Sequence, residues 1–188
     1  MDAIEAIQQR VSVPRLGGEA PRADVLQQIY KAALRVPDHG QLKPWRFLEI
    51  SEDGLDQLGE LFAKAKQAED PEISARALVK ARAKPLRAPL LVVVIASPMD
   101  HPKVPEIEQL LSAGAAAQNM LIACHALGVG AMWRTGGMAY DPVVREGLGI
   151  ADHEHIIGYL YLGEPQGNLR TAPELEPEGY FSTWPSQD

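Results

Sequence analysis

The sequence predicts an α+β or α/β layered fold, and three observations predict it. Helical patterns outnumber strand patterns, with about four strands interleaved among them. Pro89-Leu90-Leu91-Val92-Val93-Val94-Ile95-Ala96-Ser97-Pro98 is a β-branched run between prolines without polar alternation. Such a run marks a strand covered on both faces. Leu110 to Trp133 holds no Asp, Glu, Lys or Arg over 24 residues, long enough to span a bilayer. Its Ser112, Gln118, Asn119 and His125, and its breaks at Gly128 and Gly130, favour a core helix buried on nearly all sides.

The elements follow in order. Ala3, Ile4, Ala6 and Ile7 mark a short amphipathic helix over residues 2–9, and Pro14 blocks its continuation. Leu26, Ile29, Ala33 and Val36 share one face of a second helix, from Pro21 to Val36, which Pro37 ends. Pro37 to Pro44 is a loop by its Pro and Gly content, and Trp45 to Ile50 reads as a strand. Leu55, Leu58, Leu61, Phe62 and Ala65 mark a third helix, and Glu72 to Ala83 a fourth. After the strand at 89–98 comes the long helix over 104–127, with Gly128 as its C-terminal glycine. Ala131 to Arg134 is a short strand. Asp141-Pro142 caps and starts a helix through Glu146. Ile156 to Leu162 is the last strand. From Gly163 the chain reads as an extended, proline-rich tail.

Composition narrows the function. A chain of 188 residues is expected to form one domain, here 1–188 with the tail at 163–188. Area scaling gives a folded monomer of 20.5 kDa roughly 9,000 Å² of accessible surface. One Cys excludes an internal disulfide, and the acidic start is no signal peptide. A net charge of −7 argues against nucleic-acid binding as the main activity. A cytoplasmic protein acting on small molecules, with no membrane partner, is the expectation.

Candidate sites are few. His153-Glu154-His155 has a spacing that metal ligands use, but no further ligand clusters with it, so a solvated turn and no metal is expected. Cys124 reads as a buried small hydrophobe, and its neighbour His125 points about 100° away. No phosphate-binding glycine fingerprint is present. Arg10, Ser12 and Arg15 lie between helices, where an Arg fork, a hydroxyl and backbone amides suit a phosphate. The plain alternative is a solvated turn. Arg134, after an apolar run, should be partly buried and so needs an anionic or hydrogen-bonding partner. Arg35 has a second reading as a charge complementing a helix dipole. Asp38, His39, Gln41 and Lys43 sit on a loop stiffened by prolines, which is either a site or an ordinary connection.

Together these segments resemble the nitroreductase family of flavin mononucleotide (FMN) enzymes, in a short-chain branch of it. Arg10-x-Ser12 is similar to the family's N-terminal RRS motif. Ala32 to Phe47 is similar to its AP-S-S-x-N-x-Q-P-W-x-F segment in the Pro37-Asp38-His39 variant. Ser112-Ala113-Gly114, Trp133-Arg134-Thr135-Gly136 and Tyr161-Leu162-Gly163-Glu164-Pro165 recur in order. The resemblance implies a three-layer α/β/α sandwich with a mixed, mainly antiparallel sheet. It implies a homodimer with FMN at the subunit interface and NADH or NADPH as hydride donor.

Carried over by position, Arg10, Val11, Ser12, Trp133, Arg134 and Thr135 would bind FMN. Arg35, His39 and Gln41 would reach FMN too, Arg35 and His39 from the other subunit. Ala123, Cys124, His125, Ala126, Leu127 and Gly128 match the segment that places the nicotinamide cofactor. Val11 replaces the second arginine of RRS. Gln41 and Lys43 replace an Asn and a Gln, with Lys43 a candidate cation beside the flavin ring. The implied reaction is a ping-pong reduction of an electron-poor acceptor such as a nitroaromatic or quinone, with no acid–base residue. Two rivals stand beside it: a flavin binder without turnover, and a flavin-free dimeric interaction protein.

Overall fold

The computed structural model of the chain describes residues 1–184. The helices are α1 (Ala3–Gln9), α2 (Ala23–Ala33), α3 (Asp53–Glu69), α4 (Ala75–Arg82), α5 (Glu106–Ala126) and α6 (Pro142–Gly147). The strands are β1 (Leu16–Gly17), β2 (Trp45–Ser51), β3 (Leu90–Ala96), β4 (Gly130–Arg134) and β5 (His155–Pro165). β5 pairs with β3 on one side, and β3 pairs with β2; β1 and β4 also pair with β5. The resemblance implied a mixed sheet, but every pairing among the described residues is antiparallel.

Strand alternation explains the layers. Leu91, Val93 and Ile95 of β3, with Tyr159 and Tyr161 of β5, face Leu55, Leu58 and Phe62 of α3 and Val144 of α6. Leu90, Val92 and Val94, with Leu160 and Leu162, face Ile29 of α2 and Ala116, Met120 and Cys124 of α5. Successive side chains point to opposite faces, so an unbroken apolar strand must be covered twice. The result is the expected α/β/α sandwich, with every residue of β3 buried.

Polar residues of α5 fasten it to the layer beside it. Asn119 donates to the carbonyl of Ala32 at 3.1 Å, and Ser112 to that of Pro37 at 3.1 Å. Buried Gln109 donates to the carbonyl of Met99 at 2.8 Å and accepts from its N–H at 3.0 Å. α5 is not buried on nearly all sides: Ile107 is 59% and Leu111 65% exposed. The last strand runs to Pro165, so the tail expected from Gly163 begins at Gln166. The accessible surface is 11886 Å², well above the roughly 9,000 Å² expected for a compact monomer of this mass. Among the described residues no helix is long and apolar enough to cross a membrane.

Candidate functional site

Two cavities are walled by β4, which among the described residues pairs only with β5. The first, of ≈ 210 Å³, meets the strand at Gly130 and Ala131. Arg10, Val11, His125 and Gly128 line it as well. Val13 donates its N–H to the carbonyl of Ala131 at 2.9 Å, which lays residues 10–13 alongside the strand. Thus Arg10 and Val11 meet His125 and Gly128, two segments the chain separates by more than a hundred positions. The Nε2 atom of His125 is buried without a partner among the described residues. Ser12 is exposed and lines neither cavity.

The second cavity, of ≈ 420 Å³, opens at the other end of β4, about 13 Å along the strand and on the opposite face of the sheet, so a ligand that reaches both must pass around this edge strand. Trp133, Arg134 and Thr135 line it, together with Lys84 and Arg87 from the turn before β3. Phe62, Tyr159 and Tyr161 form its aromatic wall, and no Asp or Glu lines it. Phe62 and Tyr159 meet edge to face at 5.7 Å. Tyr159 donates to the carbonyl of Met138 at 3.0 Å. Arg134 lies over the Tyr161 ring at 5.6 Å, yet its Nε is buried without a partner. Burial, then repulsion from Lys66 and Arg87, holds the Lys84 ammonium below the usual lysine range. A cavity with these properties suits an aromatic ligand with electron-rich or anionic edges.

Sequence reasoning missed Lys84 and Arg87. Both follow a stretch rich in Ala, Arg and Lys, where charge reads as a solvated helix face. Only the turn at Pro85–Arg87 brings them against β4 and β5.

The remaining predicted residues fall elsewhere. Arg35, His39, Gln41 and Lys43 are exposed and line neither cavity. The ring of His39 pairs with Glu108 at 2.5 Å, near the start of α5. His125 stands near the end of α5, about 26 Å away at 1.5 Å per residue. Gln41 and Lys43 hold φ of 55° and 51°, a left-handed backbone that costs non-glycine residues energy. Of the predicted nicotinamide segment, Cys124 lies in the core, where burial pushes its thiol up to about 12. Ala123 packs against the same core, and Ala126 and Leu127 are exposed without lining a cavity. The expected solvated turn at 153–155 holds for His153 alone. Glu154 is 5% exposed, paired with Arg46 at 2.6 Å, and His155 meets Glu106 at 2.9 Å.

Gly158 sets the position of Trp133. A Cβ there would lie 2.1 Å from the indole Nε1, which donates to the carbonyl of Ile157 at 3.3 Å. Gly158→Ala is therefore expected to cost about 1–3 kcal/mol by overpacking. Urea denaturation reads this, and wild-type stability would mean that Trp133 yields without strain.

A doubly covered sheet whose edge strand carries two ligand-sized cavities defines a ligand-binding α/β/α sandwich. The comparisons with known proteins make that class specific: residues 7–164 match the model of the nitroreductase family. YdjA of Escherichia coli K12, named as an NAD(P)H nitroreductase, is 38% identical over 98% of this chain and 100% of its own. A relative of the same description from Haemophilus influenzae is 34% identical over 87% of this chain and 88% of its own. A nitroreductase-like protein of Bacillus cereus superposes with a TM-score of 0.82 at 20% identity, covering 99% and 97% of the two chains. A nitroreductase of Bacteroides fragilis, solved with bound FMN, gives 0.73 at 24% identity, covering 97% and 98%. The chain belongs to the nitroreductase family.

Proposed function

We propose that the protein is a homodimeric FMN oxidoreductase that takes hydride from NADH or NADPH and reduces an electron-poor acceptor, such as a nitroaromatic or quinone, in a ping-pong cycle. One observation carries this reading: two cavities on one edge strand, holding Arg10 at one end and Lys84 and Arg134 at the other, with no lining carboxylate. The names of the E. coli and H. influenzae relatives and the FMN in the B. fragilis protein support it.

The residues fit the cofactor. Arg10 would hold the phosphate, joined by the N–H of Val11 and the hydroxyl of Ser12. The orphaned Nε of Arg134 and the desolvated ammonium of Lys84 have no acceptor among the described residues, and a flavin ring offers carbonyl and ring-nitrogen acceptors. Trp133 and Thr135 would border that ring. When bound, FMN supplies the two-electron transfer between donor and acceptor. The protein's part is to anchor, orient and stabilise negative charge. Lys84, which lines the second cavity, would supply the positive charge for that. His125 and Gly128 are the members of the predicted nicotinamide segment that remain available at a cavity.

The subunit arrangement follows from α5. His39, held at Glu108 near the start of α5, would reach a flavin at Arg10 and His125 from the partner subunit, because about 26 Å of α5 lies between them within one chain. A second copy with its α5 antiparallel across a two-fold axis would bring one helix's start to the other's end. The bare Ile107 and Leu111, the exposed Ile4 and Ile7 of α1, and the excess surface support such an interface.

The purified protein should be yellow, should bleach anaerobically with NADH or NADPH, and should reoxidise on adding a nitroaromatic. A colourless protein that takes up no FMN would exclude both flavin readings. A yellow protein that does not bleach would leave binding without turnover. Arg10→Ala should weaken FMN binding about tenfold or more, the worth of a charge-assisted hydrogen bond. Unchanged affinity in a fluorescence titration would move the phosphate elsewhere.

A further inference from the structure

Three cations share the cavity at the end of β4, in a chain whose net charge is −7. Four arginines elsewhere are answered, Arg22 by Asp24 among them. Arg46 pairs with Glu154, Arg82 with Glu60, and Arg145 donates to the carbonyls of Glu154 and Ala151. Among the described residues, no carboxylate pairs with Lys84, Arg87 or Arg134. The acids collect instead in another cavity, where Asp100, Glu106 and Asp152 stand beside two histidines. Charge is therefore segregated by cavity.

Lys84 and Arg134 are half-buried, whereas Arg87 is exposed. A ring held by Lys84 and Arg134 leaves Arg87 unanswered at the edge of the cavity. An unpaired cation beside an aromatic-walled cavity attracts an anionic partner both at long range and on contact.

We propose that this cavity selects acceptors that carry an anionic group on an aromatic ring, and that Arg87 is the residue that reads the charge. The proposal rests on the flavin oxidoreductase reading above. It adds a substrate class, an aromatic carboxylate or sulfonate bearing the reducible group, and a specificity-determining residue.

The test compares para-nitrobenzoate with its neutral methyl ester in the FMN-loaded enzyme. Each turnover consumes one NAD(P)H and one proton and yields NAD(P)+, the nitroso compound and water. The fall in NAD(P)H absorbance thus follows both acceptors. The readout is kcat/KM for the acid divided by kcat/KM for the ester. Comparing this ratio between variants cancels the difference in electron affinity between the two acceptors. Arg87→Gln should lower the ratio about tenfold, the worth of one charge-assisted contact. Arg87→Glu should lower it further, and Arg87→Lys should keep most of it. Raising salt from about 0.01 M to about 1 M should lower the ratio in wild type and much less in Arg87→Gln. A ratio that stays within twofold in Arg87→Gln and Arg87→Glu overturns the proposal and leaves the flavin reading standing. A protein that binds FMN but reduces neither acceptor, or that binds no FMN, overturns both.

Discussion

Glu154→Ala should lower folding stability by about 3 kcal/mol, at the lower end for breaking a buried ion pair. The carboxylate is almost wholly buried, and Arg46 donates to both its oxygens at 2.6 Å. The N–H of Ala151 adds a third bond at 3.0 Å. Arg46 is partly exposed and regains water when its partner is lost, which keeps the cost from rising higher. The same pair sets an acid limit. The Arg46 guanidinium, opposed by burial and helped by the Ala151 N–H, holds the Glu154 carboxyl at about 2, against an ordinary 4.5. A depressed carboxylate stabilises the fold fully above its unfolded pKa and loses that contribution as pH falls through its folded value. At about 1.4 kcal/mol per unit, the difference corresponds to about 3 kcal/mol, lost between pH 4.5 and about 2. Urea midpoints measured across that window should fall steeply in wild type and less steeply in Glu154→Ala. Parallel curves would mean that the pair contributes nothing to acid stability.

Glu154 also marks where sequence reading stops. His153-Glu154-His155 is polar at every position, and polarity alone reads as solvent. The arginine that buries Glu154 comes from β2, more than a hundred residues away. The layered fold was legible because its signals are local. The 89–98 run needs cover on two faces, Asp141 caps its helix by accepting from Val143 and Val144, and Gly128 follows α5 in a left-handed turn at φ 74°. β1 was missed because two residues carry no period. Of the residues that line the two cavities, motifs had singled out Arg10 and Trp133 to Thr135. Lys84 and Arg87 were not legible, because their neighbours belong to distant strands. That His39 and Arg10 stand at opposite ends of α5 is likewise a fact of tertiary structure, and it turns a one-chain list of residues into an argument for two chains.

Lys84→Met should slow the anaerobic bleaching of bound FMN by NADH or NADPH about 100-fold, the usual worth of one electrostatic donor at a reaction centre. Burial and the nearby Lys66 and Arg87 hold the Lys84 pKa below its ordinary value, so its charge disfavours the folded state at neutral pH. For a depressed lysine that penalty is complete below the folded pKa and disappears above the unfolded one. Methionine keeps the length and removes the charge, so Lys84→Met should fold at least as stably as wild type. On the flavin reading, that charge would be compensated by the ligand, and negative charge gained by the flavin would return the lysine toward its ordinary pKa. The pH profile separates this role from a packing role. In wild type the bleaching rate should fall on the alkaline side below the usual lysine range, as the Lys84 ammonium loses its proton. In Lys84→Met that limb should be absent, with a low rate at every pH. A variant that bleaches at the wild-type rate, or that keeps the alkaline limb, would assign the stabilising charge to Arg134.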